Sequence, residues 1–334
     1  MALFPRYALG MEWTDSLLKL VEMKRGFRRV RLMQYMVHPL FKEEMAQQSE
    51  VDREEWIQSV REALADRRFK TRNVHLALGN RHVVTAIWKI PEIDSNRMRR
   101  WIEKKVIPMW KLPFDDPYFD YQPIGHVWQE GDQQEVMVAA VSRSLVEERV
   151  DRIRCCGLEP VSIDLSALSL QRWLDYSDDS LLDHMATLQF FRNGVDVNLF
   201  HRGVFQGGRF VPFEMVRFMK NDNLTDMNSM SPMLADPEQI QDYGETLLEV
   251  LGKEGPEWMN LELWKKSRVW VLTGEGIDLK QLMMWLQSKE TPPVRMATEA
   301  KNLMSEKLSL KTSRWLGTTL SVPLGAALTG VQSR

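Results

Sequence analysis

The N-terminal residues 7–25 carry side chains whose types and spacing suit ligand chemistry. An apolar segment that contains Glu12 leads into the turn residues Thr14, Asp15 and Ser16, and a second apolar segment with Lys19 follows. The pattern predicts two strands joined by a tight turn, because Thr, Asp and Ser favour turns. Backbone N–H groups of such a turn can bind phosphate. Whether this turn can do so is the first question about function.

Histidine and cysteine give no second candidate for chemistry. The six histidines show no ligand spacing, and neither cysteine has a partner elsewhere in the chain. Cys155 and Cys156 are neighbours, where the backbone disfavours an ordinary disulfide. We therefore expect no metal site and a reducing, cytoplasmic setting.

Composition indicates a globular protein with room for two domains. The 334 residues are 44% hydrophobic, which is enough for two packed cores. Lys and Arg number 44 against 46 Asp and Glu, and the formal net charge of -2 gives no bulk attraction to nucleic acid. No apolar run reaches the ~20 residues of a spanning helix, so we expect membrane association only through a partner.

One helix is an exception to this charge balance. Residues 96–106 predict a helix with five basic side chains, namely Arg97, Arg99, Arg100, Lys104 and Lys105. We expect a solvated helix face, with contact to anionic lipid as the alternative.

The order of predicted elements shows an internal duplication. Three strands at the N-terminus, the third at 27–37, resemble three strands at 185–191, 195–201 and 204–211 in order and length. Between them the sequence predicts helices at 54–69, 96–106, 145–156 and 165–173, with strands at 73–78, 83–90, 118–125, 135–141 and 160–164. Each set of three sequential strands is predicted to form a meander. After the second meander the sequence predicts a polar loop at 221–237, a helix to about 251, a strand at 268–272 and helices at 278–287 and 316–328.

Several segments resemble PilM-type pilus assembly proteins, relatives of FtsA. They are LPFDDPYFDYQPIG at 112–125, WIEKKVIP at 101–108, the run VMVAAVSRSLVEERVDRIRCCGLEPVSIDLSALSLQR at 136–172, the opening ALG with SLLKLVE, and the closing LGAALTG. Their order and spacing together carry the resemblance. It implies an α/β, actin-like (ribonuclease H-like) two-domain fold with a small inserted α+β module. The expected boundaries are 1–180 for the first domain with the module at about 70–157, 181–314 for the second domain, and 315–330 for a C-terminal helix that packs back on the first domain.

The resemblance also implies a function in the inner-membrane platform of a type IV pilus or a type II secretion-like machine. In that family a groove between the first subdomain and the inserted module holds the N-terminal cytoplasmic tail of a bitopic membrane protein, PilN. We therefore expect a cytoplasmic scaffold that reaches the membrane through a PilN-like partner and contacts other platform proteins. Trp88 and Trp110 are the candidates for lining its peptide groove.

The family typically carries ATP, but the matching positions here oppose it. Thr14 replaces the glycine of the first phosphate turn, and Asp15 adds a carboxylate beside it, although Glu12 keeps the acid position. At the second phosphate turn, Gln189 stands at the acid and Phe191 at the glycine. The third nucleotide-binding element of the family, which would pass beside the adenosine, keeps only Gly274 and Gly276. A G-x-G after a strand more often marks a tight turn. We expect a pseudo-ATPase without enzymatic activity or cofactor.

The alternative is a Mg-ATP-binding switch or slow ATPase of the same machine. Its polar site would be Glu12, Lys19 and Asp164, with Asp164 positioning water. Without phosphate loops, a helix cap is the preferred interpretation of Asp164. A sugar-kinase-type enzyme is a more distant alternative, and nothing in the sequence supports its substrate site.

Overall fold

The computed structural model describes residues 7–27, 29–40, 50–127, 133–177, 184–219, 232–258, 264–297 and 318–332. The strands of these regions are β1 Tyr7–Trp13, β2 Leu17–Arg25, β3 Val30–Pro39, β4 Asn73–Leu78, β5 Val83–Pro91, β6 Pro117–Val127, β7 Gln133–Ser142, β8 Glu159–Leu165, β9 His184–Phe191, β10 Gly194–His201, β11 Val204–Pro212, β12 Val269–Gly274 and β13 Val294–Met296. The α-helices are α1 Glu50–Ala65, α2 Ser95–Trp101, α3 Arg143–Cys155, α4 Ser166–Tyr176, α5 Pro237–Trp258, α6 Leu279–Gln287 and α7 Ser321–Val331.

The predicted duplication of the meander is confirmed by two five-stranded sheets of the same design. The first has the order β3-β2-β1-β4-β8 and the second β11-β10-β9-β12-β13. In each sheet the meander strands pair antiparallel, and the two added strands pair parallel. The short strand β13 was not predicted, because three residues are too few to show a period.

The inserted module is a three-stranded antiparallel sheet in the order β5-β7-β6. The helix α2 covers one face of it and continues into a π turn, Ile102–Val106, and a 3₁₀ turn, Ile107–Met109. Strand β4 pairs with β1 and β8 and so belongs to the first sheet. The module therefore begins after Leu78, later than the predicted boundary at about residue 70.

The C-terminal helix α7 is apolar all round and lies against α4, β1, β2 and β4 of the first domain. Small residues permit this packing at two points. A Cβ atom at Gly10 would lie 1.9 Å from the Pro323 carbonyl oxygen, and one at Gly325 would lie 1.7 Å from that of Ser169. Both positions therefore require glycine.

Some sequence predictions fall outside the described residues, namely the loop at 221–231 and the start of the last helix at 316–317. Helix α6 begins where predicted because the Asp278 carboxylate accepts the N–H groups of Lys280 and Gln281. Over the regions that the structure describes, no helix combines the length and apolarity needed to cross a bilayer.

Candidate functional site

The turn between β1 and β2 is closed by its own groups. The Thr14 N–H donates to the Leu17 carbonyl at 2.9 Å. The Leu17 N–H donates to the Thr14 Oγ1 at 2.9 Å, and that hydroxyl also contacts the Leu17 carbonyl. Threonine hydroxyls stabilise turns by bonding to nearby backbone groups. These two N–H groups are therefore used within the turn.

Behind the turn lies a buried charged cluster that joins the two domains. The Lys19 Nζ is 2.9 Å from Glu12 Oε2 and 2.5 Å from Glu275 Oε2. Glu12, Lys19 and Glu275 expose only 3%, 0% and 7% of their surface. Buried charges are tolerated only when they are paired. Glu275, which stands between the two glycines after β12, therefore ties the second domain to the first.

Neutral groups complete this cluster. The Ser16 hydroxyl donates to Glu275 Oε1 at 2.9 Å, and the Thr14 hydroxyl contacts the same oxygen at 3.3 Å. The Gln189 side-chain amide donates to Glu12 Oε1. Gln189 stands where the second phosphate turn of the family has an acid. Here it is a neutral donor that satisfies the Glu12 carboxylate of the first domain.

The pKa values in the cluster follow from burial and from the three charges. Burial lowers the pKa of Lys19, but the carboxylates of Glu12 and Glu275 outweigh it and the net shift is upward. Burial raises the pKa of Glu12, and Lys19 offsets part of that shift. Lys19 therefore stays protonated at physiological pH as the cation between two acids.

The mouth of the cleft is filled by a second set of contacts. Asp15 forms an ion pair with Arg81 and accepts a hydrogen bond from the Asn193 amide. The Arg81 guanidinium lies 5.6 Å from the Phe210 ring centroid, and Phe210 packs on Phe191. The cavity that remains between these residues has a volume of about 30 Å³, roughly the space of one water molecule.

The two glycines of the third element are explained by backbone geometry. Gly274 has a φ of +111°, and a Cβ there would lie 2.2 Å from the Phe190 carbonyl oxygen. Gly276 has a φ of +85°. Both conformations favour glycine, so the tight turn that projects Glu275 accounts for the motif.

A buried acid, Asp196 on β10, lies beside the cluster and was not singled out from the sequence. Its Oδ2 accepts the N–H of Asn80 at 3.0 Å, and Asn80 also donates to Asn198 at 2.8 Å. Burial, reinforced by the charge of Glu12, raises the pKa of Asp196 to about 8. Asn80 follows β4, so these bonds form a second polar link between the domains.

The raised pKa of Asp196 predicts a pH-dependent stability. Between the ordinary pKa near 4 and about 8, the unfolded chain has lost this proton while the folded chain keeps it, so folding stability falls as pH rises. The limit for one group is about 1.4 kcal/mol per pH unit. Asp196→Asn cannot ionise and keeps an oxygen for Asn80. We expect its advantage over the wild type to grow by about 2–4 kcal/mol between pH 5 and pH 8 in urea unfolding. Parallel stability curves for the two proteins would contradict this assignment.

Asp164 lies on β8 in register with Glu12, two strands across the first sheet, and it does not cap α4. The N-cap residue of α4 is Leu165, which makes no side-chain cap bond. One Asp164 oxygen accepts the Leu165 N–H and the other pairs with Arg172 at 2.8 Å. Arg172 also donates to the Gly325 carbonyl at 3.1 Å. The carboxylate thus links β8, α4 and α7 instead of serving as the predicted cap.

An apolar groove of about 380 Å³ lies between the first domain and the module. Its lining is mainly apolar: Leu78, Val83, Met137, Ala139, Val141, Val146, Ile163, Leu165 and Leu168. Tyr118, Asp120, Gln122 and Asp164 add polar groups. The edge strands β6 and β8 both contribute to it, and each pairs with one neighbour among the described strands. The groove therefore joins apolar surface to backbone edges.

Trp88 and Trp110 lie on the opposite face of the module sheet from this groove. Their rings meet edge to face with centroids 5.9 Å apart, within the apolar cluster that includes Met98 and Val136. Alternate residues of a strand point to opposite faces. On β7, Val136 faces this cluster and Ala139 faces the groove. The tryptophans therefore belong to the apolar cluster under α2 and do not line this groove.

Two duplicated meander domains joined across a polar cleft, with a module inserted in the first, define an actin-like α/β protein. The predicted actin-like fold is confirmed by the comparisons with solved structures. The family model of the type IV pilus assembly protein PilM matches residues 10–201. The chain belongs to this family, as the sequence predicted.

Two solved structures are similar over nearly the whole chain. One comes from a PilM-PilN type IV pilus biogenesis complex, with 21% identity, a TM-score of 0.77 and coverage of 98% of this chain and 100% of that chain. The ethanolamine utilization protein EutJ from Carboxydothermus hydrogenoformans has 13% identity, a TM-score of 0.51 and coverage of 99% and 92%. No curated protein sequence gives a match.

Proposed function

We propose that this chain is a cytoplasmic scaffold of a type IV pilus or type II secretion-like inner-membrane platform. It binds the N-terminal cytoplasmic tail of a PilN-like membrane protein in the groove between β6 and β8, and it does so without ATP. The apolar groove is the observation that carries the proposal, and membership of the PilM family supports the cellular role. The similar solved structure is a PilM-PilN complex. Membrane proximity, through the bound partner, follows from the same proposal.

The shape of the groove suits an extended peptide. A volume of about 380 Å³ is in the range of ordinary ligand sites and accommodates a few apolar side chains. The edges of β6 and β8 offer backbone groups to a strand laid beside them, and such strand addition is a common mode of peptide binding. Ile163 and Val161 on β8 are 37% and 49% exposed, so this edge also presents apolar side chains.

Polar groups at the groove give it the means to select a sequence. Asp120 on β6 is exposed, and its carboxylate is 3.4 Å from the Arg99 guanidinium in a weak surface pair. Asp164 is paired with Arg172. A basic side chain of the tail could form an ion pair with Asp120 at one rim of the groove. Asp164, at the other rim, is already paired with Arg172.

The cleft between the domains supports the ATP-free part of the proposal, because its residues do not fit Mg-ATP. A nucleotide needs several hundred Å³, against about 30 Å³ between Asp15, Arg81 and Phe191. Lys19 is held by two carboxylates, and the Thr14 and Leu17 N–H groups are used within their turn. Binding would require the buried ion pairs between the domains to break first.

Calorimetric titration with a synthetic peptide tests the proposal. The peptide carries the N-terminal cytoplasmic tail of the PilN-like protein encoded with this chain. We expect saturable one-to-one binding in buffer without nucleotide, with a negative heat-capacity change because apolar surface is buried. Absence of binding at submillimolar peptide would contradict the scaffold function.

A further inference from the structure

The turn between β2 and β3 presents a fully exposed aromatic ring. Phe27 is 101% exposed, more than any other large apolar side chain of the described residues. The turn is tight, since the Gly26 N–H donates to the Arg29 carbonyl at 3.0 Å. A ring this exposed buries no apolar surface and so adds nothing to the stability of the fold. One exposed apolar side chain is ordinary by itself, so the residues around Phe27 decide what this turn can bind.

Basic residues surround this ring in the sequence. Residues 23–33 contain no acid and five basic side chains, namely Lys24, Arg25, Arg28, Arg29 and Arg31, in a chain with a net charge of -2. Arg29 and Arg31 are exposed, while Val30 and Leu32 between and beside them are buried. This alternation along β3 sends both guanidinium groups outward.

The turn is held in place and points away from the charged cluster. The Tyr176 hydroxyl at the end of α4 accepts the Val30 N–H at 3.1 Å, which fixes the base of the turn. The turn joins the opposite ends of β2 and β3 from those near Ser16, because the strands are antiparallel. β3 is also the sheet edge remote from β8 and the groove. A contact at Phe27 therefore leaves the cleft and the groove free.

We propose that the β2–β3 turn docks on an anionic lipid bilayer, with the Phe27 ring in the interface and Arg29 and Arg31 on the headgroups. Each basic residue close to an anionic membrane strengthens binding by about fivefold. A single exposed ring is too small for a protein interface, which needs about 800 Å² per partner. Single-stranded nucleic acid is bound by rows of aromatic side chains. A bilayer requires neither, because it accepts an apolar side chain without a matching pocket.

Vesicle flotation of the full chain tests this proposal. The probe is a set of phosphatidylcholine vesicles with and without about 30 mol% phosphatidylglycerol, in about 50 mM salt where screening is weak. We expect binding to the anionic vesicles only. Phe27→Ser should weaken it by about tenfold, and Arg29→Glu with Arg31→Glu by more than about twentyfold. These side chains are exposed, so circular dichroism and melting temperature should not change.

Two matched variants separate the turn from general surface effects. Met284→Ser changes an apolar side chain that is 58% exposed elsewhere, and Arg97→Glu with Arg100→Glu reverses two exposed charges on α2. Both should bind vesicles within about twofold of the wild type. The proposal is overturned if the wild type ignores anionic vesicles, if Phe27→Ser binds as well as the wild type, or if the α2 variant loses binding to the same extent as the turn variant. None of these results depends on the tail or on nucleotide.

Discussion

Lys19→Met should destabilise the protein by about 3–5 kcal/mol, the usual cost of removing one partner from a buried ion pair. The lysine is the cation between Glu12 and Glu275, and its side chain has no exposure to water. Without it, two carboxylates remain buried and close together, and one comes from each domain. Equilibrium urea unfolding followed by tryptophan fluorescence measures the loss.

A charge-free version of the cluster is the control for this variant. Lys19→Met combined with Glu12→Gln and Glu275→Gln removes all three charges and keeps amide groups for Ser16 and Gln189. We expect the triple variant to lie within about 1 kcal/mol of the wild type, because replacing a whole buried ionic group is often neutral. A single variant as stable as the wild type would show that the cluster does not join the domains energetically. A triple variant as unstable as the single one would show that packing, not charge, is the cause.

Ala139→Phe is expected to weaken tail binding by about 100-fold, the scale of losing a well-packed contact at the centre of an interface. Ala139 lies in the middle of β7 and faces the groove, between Asp120 on β6 and Thr85 on β5. A phenyl ring there occupies the space that the peptide's apolar side chains would take. Fluorescence anisotropy of a labelled tail peptide gives the affinity.

Ala86→Phe is the matched control for the groove variant. Ala86 is also half-buried and lies on the same sheet, but it pairs with Val138, which faces the cluster under α2. We expect its affinity for the tail to stay within about threefold of the wild type. Equal losses for both variants would point to a general disturbance of the module. No loss for Ala139→Phe would place the peptide elsewhere.

The architecture could be predicted from sequence because its signals are local. Apolar segments with hairpin turns such as Arg192-Asn193-Gly194 indicate the strands of the second meander. The likeness of these strands to the first three in order and length indicates the duplication. The module begins later than predicted because β4 pairs within the first sheet, although only the short loop 79–82 separates it from β5. The residues of a strand do not by themselves show whether it pairs in the module sheet or in the main sheet.

The site was predicted in part. Thr14 and Asp15 were identified as residues unlike those of a phosphate turn, and the structure shows what each contacts. Glu275 and Asp196 were missed because their partners lie far along the chain in the other domain. A glutamate between two glycines after an apolar strand is a weak signal by itself. A buried acid within an apolar strand, such as Asp196, was the clearer clue.

The tryptophans show a limit set by strand parity. Trp88 and its neighbours on β5 alternate between two faces, and both faces of this sheet are covered, one by α2 and one by the first domain. Aromatic character alone does not say which face borders the groove. The smaller Ala139 and Met137 on β7 line it instead. A shift of one residue along a strand changes the face.

The most direct test of the whole account is the calorimetric titration of the wild-type chain with the PilN-like tail, performed with and without millimolar Mg-ATP. The account predicts saturable one-to-one binding with the same affinity in both conditions, because the groove is complete and the cleft between the domains is filled by Glu12, Lys19 and Glu275. Tail binding that appears only with Mg-ATP, or an affinity that changes tenfold with it, would contradict the account and identify a nucleotide-dependent switch.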